Sequence, residues 1–220
     1  MKKIDKSEIL ATSYKTWLDN LGETHPEYTS SKHKFYYDIV ANLVWIQGGL
    51  CAYTEVLLND KKTVAPEKWV DGMFNRFEVK GALDHYFPNL KRETGWDWQN
   101  FFLIDYDINS KIKRDNQPHG ILKPDKSDFD PFYFLEYNYV KHIFIPNSER
   151  DIDFQIKIKH DIDILGLNYG PIVNDREKYL KNLFSEALMG KKEILEIRKD
   201  LYKFYTAFEM SMKQLNIEEL

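Results

Sequence analysis

Cysteine is nearly missing from this chain: Cys51 is the only one in 220 residues. A single thiol forms no intramolecular disulfide, and no thiolate cluster is available to hold zinc. Long apolar runs are also missing. The most apolar stretch, residues 39–53, contains Asn42, Gln47, Gly48 and Gly49 and is too short to span a bilayer. Residues 1–8 include lysines but no apolar segment of the signal-peptide kind, so a soluble cytoplasmic protein is expected. There is no Gly-rich phosphate loop, which argues against ATP binding by this chain. Nor is there a repeat, a low-complexity tract or an obvious linker. Neither sign of charge dominates. With 31 Lys and Arg against 35 Asp and Glu, the formal net charge is −4. That excludes a general polyanion coat and leaves room for a local basic patch.

Apolar residues at 43% and aromatics at 15% are ample for a packed core. In residues 7–21, Ile9, Leu10, Tyr14, Trp17, Leu18 and Leu21 recur at three- and four-residue steps, which predicts an amphipathic helix stopped by Gly22. A second helix is expected over 34–46, ended by Gly48-Gly49. Residues 77–79 and 101–104 read as short strands, with a helix beginning near Asn109. Residues 133–145, rich in aromatic and branched side chains, predict strand or hairpin structure. The stretch 151–165 carries both periods and is read as a helix stopped by Gly166. Two long helices, 175–188 and 191–215, are expected on either side of Gly190. The fold class is α+β: one mostly helical domain over 1–220, with helical flanks at 1–47 and 174–215.

The chemistry concentrates between these flanks. Leu83-Asp84-His85-Tyr86-Phe87-Pro88 is followed by Trp98-Gln99-Asn100 and then by Asp107-Ile108-Asn109-Ser110-Lys111. Hydrolysis of a phosphodiester needs an activated water and positive charge on the crowded anionic transition state. A neutral histidine can take the water's proton near pH 7. Carboxylate and amide oxygens suit a hard ion such as Mg²⁺. Asp84 and Asn109 are therefore candidate metal ligands, His85 is the candidate base, and Asn100 is a candidate tie between the loop 86–99 and the second strand. Singly, each has a plainer reading: a structural histidine, a helix cap at Asn109, a turn residue at Asn100. Lys111, Lys113 and Arg114 on the helix, and Lys91 and Arg92 in the loop, are candidate phosphate contacts, with a solvated face as the alternative.

The joint pattern Asp84-His85, Asn100 and Asn109 resembles the HNH nucleases in their His-Asn-Asn form. Gln47-Gly48-Gly49-Leu50-Cys51-Ala52-Tyr53-Thr54-Glu55 is similar to the segment that precedes that core. Ile121-Leu122-Lys123-Pro124, Asp130-Pro131-Phe132-Tyr133 and Ile162-Asp163-Ile164-Leu165-Gly166-Leu167-Asn168 with Arg176 resemble elements that follow it in the HNH proteins of Septu defence systems and retron-associated nucleases. The resemblance covers roughly residues 40–180. It implies a ββα-metal core over 77–115, with His85 as general base, Asp84 and Asn109 on one Mg²⁺ or Mn²⁺, and Asn100 orienting the catalytic loop. It also implies cleavage of nucleic acid to a 5′-phosphate and a 3′-hydroxyl, with DNA favoured over RNA, and an accompanying ATPase in an anti-phage complex. The family's structural zinc would fall at Cys51, Thr54, Asp105 and Ile108. Only one of the four is a thiol, so zinc is not expected, and Tyr53, Phe101, Phe102, Leu103 and Ile108 would have to hold the core by packing. The alternative function is an inactive HNH-fold binding or assembly subunit. Oligomeric state is left open.

The remaining histidines, His25, His33, His119, His142 and His160, are scattered and read as surface or core residues. Tyr133, Phe134, Tyr137 and Tyr139 are read as core rather than as base-stacking platforms.

Overall fold

The computed structural model describes residues 1–29 and 32–215. It is a mixed α+β fold, with helices packed around two small antiparallel hairpins. No helix among the described residues is long and apolar enough to cross a membrane.

Helix α1 spans Thr12–Asp19, shorter than the apolar period predicts. The reason lies in α2, Tyr36–Ile46. The Asn42 amide on α2 accepts from the Ala11 N–H at 3.0 Å and donates to the Glu8 carbonyl at 3.2 Å, so residues 8–11 bond to a side chain instead of to a helix. Helix α2 stops at the expected glycines. Gly49 adopts a φ of 79°, and a Cβ there would stand 1.9 Å from the Asn59 carbonyl oxygen, so only glycine fits.

Strand β1 is Ala82–His85, not residues 77–79 where a short strand is expected. Asn59 holds the chain just before β1. Its side chain accepts from Lys80 N–H at 3.0 Å and donates to Lys80 C=O at 2.8 Å, satisfying that backbone without a partner strand. Strand β2, Phe101–Ile104, forms where expected and pairs antiparallel with β1, His85 opposite Phe101 and Ala82 opposite Ile104. The helix after β2 is a π-helix, Ile108–Lys113, in which Arg114 N–H reaches back to Asn109 C=O at 2.9 Å. Asp105 starts it, its Oδ1 accepting from Asp107 N–H at 2.8 Å and Ile108 N–H at 3.2 Å.

The second hairpin joins β3, Leu135–Asn138, to β4, Ile143–Pro146, just after the short helix α3, Pro131–Phe134. Of the aromatics beside it, Phe134 and Tyr137 are buried and Tyr133 is 48% exposed. Helix α4, Ile152–Ile164, is capped by the Asp151 carboxylate and ends at Gly166 as the helical reading of 151–165 predicts. Helix α5, Gly170–Leu188, begins five residues before the predicted 175, at a Gly-Pro pair suited to a first turn.

The last predicted helix, 191–215, is broken in two: α6, Ile194–Asp200, and α7, Tyr205–Gln214. Glu55 makes the break. Its carbonyl oxygen accepts from Phe204 N–H at 3.2 Å, with Phe204 held at a φ of 55°. Its carboxylate takes the Thr206 N–H at 2.9 Å and the Thr206 hydroxyl, capping α7 from across the molecule. Tyr53, Phe101, Phe102, Leu103 and Ile108 are all fully buried and share one continuous core with α2, α4, α5 and α7.

Candidate active site

A cavity of about 670 Å³ opens where β1 ends. Its floor is Leu83, Asp84 and His85. One wall is the π-helix and its exit, Asn109, Ser110, Arg114 and Asp115. The other is the loop residues Pro88 and Lys91 together with Glu27, Tyr28, Thr29 and Lys32 from the N-terminal region. Strand geometry sends neighbouring side chains to opposite faces. Asp84 and His85 nonetheless reach the same cavity, because it wraps the end of the strand instead of lying on one face.

His85 is 6% exposed and held at a defined tautomer. Its Nε2 lies 2.8 Å from the Gly95 carbonyl oxygen, which can only accept, so Nε2 carries the proton and Nδ1 is the free base. Burial pulls the imidazole pKa down to about 4, with Lys91 and Lys113 adding to the shift and the Gly95 bond opposing it. The ring is therefore neutral at pH 7.

Asp84 is 4% exposed. Tyr53 donates its hydroxyl to Asp84 Oδ2 at 2.6 Å, and the Lys113 ammonium stands 4.0 Å from Oδ1. Burial raises the carboxyl to about 6 in spite of both partners. Asn109 is half-buried on the cavity wall, one turn beyond the Asp105 cap. Asn100 does not line the cavity. It accepts from Phe87 N–H at 2.7 Å and donates to Phe87 C=O at 3.0 Å, closing the loop 86–99 onto the start of β2.

The basic residues divide. Lys91 and Arg114 line the cavity, and Arg92 lines an adjoining groove that shares Pro88, Lys91 and Asp115 with it. Lys111 lies outside both and pairs with Asp107 at 2.7 Å. Lys113 departs most from the expected phosphate contact. It is fully buried, donating to the carbonyls of His85 at 3.3 Å and Asn116 at 3.1 Å. The extra residue of the π-turn moves the helix face, and with it the direction of Lys113, which no side-chain periodicity encodes. The sequence reading also missed Glu27, Tyr28, Thr29 and Lys32. They carry no recognisable spacing relative to the hairpin, and only tertiary contact brings them there.

The four positions where the resemblance would put zinc lie together. The Cys51 sulfur accepts from the Asp105 N–H at 3.3 Å, Thr54 adjoins the thiol, and Asp105 caps Ile108. Among the described residues no group of three or more His, Cys, Asp or Glu is arranged to hold a metal ion. No protein-family model matches the chain, and no curated protein matches it either.

Proposed function

We propose that this protein is a metal-dependent nuclease with a ββα-metal core formed by β1, β2 and the π-helix. The observation that carries the reading is the His85–Gly95 bond, which leaves Nδ1 as the proton-accepting nitrogen of a residue that lines the same cavity as Asp84 and Asn109.

Two protein oxygen donors fit a small hard cation that keeps most of its waters, and they do not fit a caged ion such as zinc. Asp84 and Asn109 would hold one Mg²⁺ or Mn²⁺, which supplies positive charge to the scissile phosphate. His85 then accepts the proton of the attacking water at Nδ1 while Nε2 stays anchored on Gly95. Asn100 keeps the loop that carries Gly95 closed on β2. Lys91 and Arg114 are placed for flanking phosphates, and Arg92 for the strand as it leaves along the adjoining groove. Products would be a 5′-phosphate and a 3′-hydroxyl, with DNA favoured over RNA. The defence context and an accompanying ATPase rest on the sequence resemblance alone.

The Lys113 ammonium beside Asp84 favours the second reading, an HNH-fold binding or assembly subunit without activity, because it competes with a cation for the carboxylate. Calorimetry with Mn²⁺ separates the two. Binding at or below millimolar Mn²⁺ that disappears in Asp84→Ala, together with Mn²⁺-dependent strand cleavage, is expected for the nuclease. Absence of Mn²⁺ binding in the wild type would leave the assembly subunit as the better account.

A further inference from the structure

The wall of the cavity opposite the π-helix comes from far outside the hairpin, and it is stitched to the loop that anchors His85. His25 N–H donates to Glu93 C=O at 3.0 Å, Trp96 N–H donates to His25 Nδ1 at 3.1 Å, and the Trp96 indole donates to Glu27 C=O at 3.4 Å. These bonds straddle Gly95, whose carbonyl holds His85. Gly95 leaves no spare room, since a Cβ there would stand 2.3 Å from Lys91 C=O and 3.2 Å from Tyr28 Cβ. Tyr28 then sets its ring edge-on to the His85 imidazole, centroids 4.5 Å apart at 87°, while Phe101 packs on the same ring at 4.9 Å.

A hydrogen bond at Nε2 does not by itself fix the ring. Nε2 lies close to the axis of rotation about χ2, a broad torsion in histidine, so Nδ1 can swing while the Gly95 bond is kept. Only atoms packed against the ring stop that swing. Resting on the reading of His85 as the base, we propose that residues 25–28 form a clasp and that Tyr28 is a positioning residue, whose ring fixes the direction of His85 Nδ1. The aromatic ring is the portion of Tyr28 that holds the imidazole, so phenylalanine should replace it and leucine should not.

The test compares Tyr28→Phe, Tyr28→Leu and His25→Ala, each checked for folding by thermal unfolding. The first readout is the ¹⁵N spectrum of the imidazoles at pH 7 in EDTA, His85 being identified by the signals lost in His85→Ala. The expected result is the Nε2–H tautomer throughout, because the Gly95 bond is kept, with the His85 ring signals broadened by motion about χ2 in Tyr28→Leu and sharp in wild type and Tyr28→Phe. The second readout is cleavage kinetics. Tyr28→Leu should lower kcat roughly tenfold or more with KM and Mn²⁺ affinity within about twofold, and Tyr28→Phe should keep kcat within about threefold. His25→Ala loosens the clasp without touching the ring and should shift both readouts in the same direction, which keeps the question open to decision if Tyr28→Leu does not fold. Unchanged His85 signals in Tyr28→Leu, or equal losses in the Phe and Leu variants, would overturn the proposal. If wild type cuts no nucleic acid with either metal, the nuclease reading fails, and the spectra still decide whether the clasp exists.

Discussion

At the scale of single residues, the site combines two buried groups whose titrations oppose each other. The folded pKa of His85 is about 4, below its ordinary 6.5, so the unfolded chain binds the extra proton between those values. Its contribution to stability is complete above pH 6.5 and is lost as pH falls toward 4. Asp84 runs the other way, because its folded pKa of about 6 lies above its ordinary 3.8. The folded state binds the extra proton in that window, so stability rises as pH falls from 6 toward 3.8. In wild type the two slopes largely cancel, and removing either group should expose the other. In EDTA, His85→Gln is expected to gain stability on acidification across pH 6 to 4, and Asp84→Asn to lose it. Each change should be on the order of 2–3 kcal/mol, read from urea midpoints. Slopes of the same sign in both variants would contradict the assignment.

Asn100 gives a second prediction at this scale. Truncation to alanine leaves the N–H and C=O of Phe87 without their partners and should cost about 2 kcal/mol of stability, measured by urea unfolding, with cleavage falling more steeply than stability. These side chains stand out in the sequence because their order, acid, base, amide, amide, is the pattern on which the family resemblance rests. Tyr28 and the inward turn of Lys113 do not. The first is far from His85 in sequence and meets it only in the folded molecule, and the second depends on a π-turn that leaves no mark on the pattern of residue types.

Between elements, the decisive contacts are those that set the π-helix against the rest of the fold. Gly166 ends α4 at a φ of 70°, and a Cβ there would stand 2.4 Å from Ile108 Cδ1. The first residue of the π-helix is thus seated on the end of α4. Gly166→Ala strains the backbone and pushes on Ile108, and about 2–4 kcal/mol of destabilisation is expected. Denaturant unfolding measures it; a loss under about 1 kcal/mol would mean the contact is softer than this packing implies. Arg176, on α5, makes a comparable tie. Fully buried, it donates to the carbonyls of His142 and Leu167, tying the β3–β4 turn to the segment after α4. Helix stops at Gly48-Gly49 and Gly166 can be read from the chain, since glycine marks a left-handed residue. The break between α6 and α7 cannot. Residues 201–204 carry no glycine or proline, and the bend is imposed by Glu55, 151 positions before Thr206 in sequence.

For the whole molecule, one continuous core carries the hairpin, the π-helix and the flanking helices, and buried side-chain bonds from Asn42, Glu55 and Arg176 tie those elements together around the candidate site. Composition predicts such a core, and the patterning predicts the mixed α+β class. The cavity is less legible, because one of its walls includes residues that no local pattern connects to the hairpin. The central claim is that His85 is the base of a metal-dependent phosphodiesterase. It is tested most directly by incubating plasmid DNA and a cellular RNA pool with Mg²⁺ or Mn²⁺ and comparing wild type with a folded His85→Ala. The account predicts metal-dependent cleavage by wild type and none above background by the variant. Equal cleavage by both, or none by wild type under conditions where it binds Mn²⁺, would contradict it.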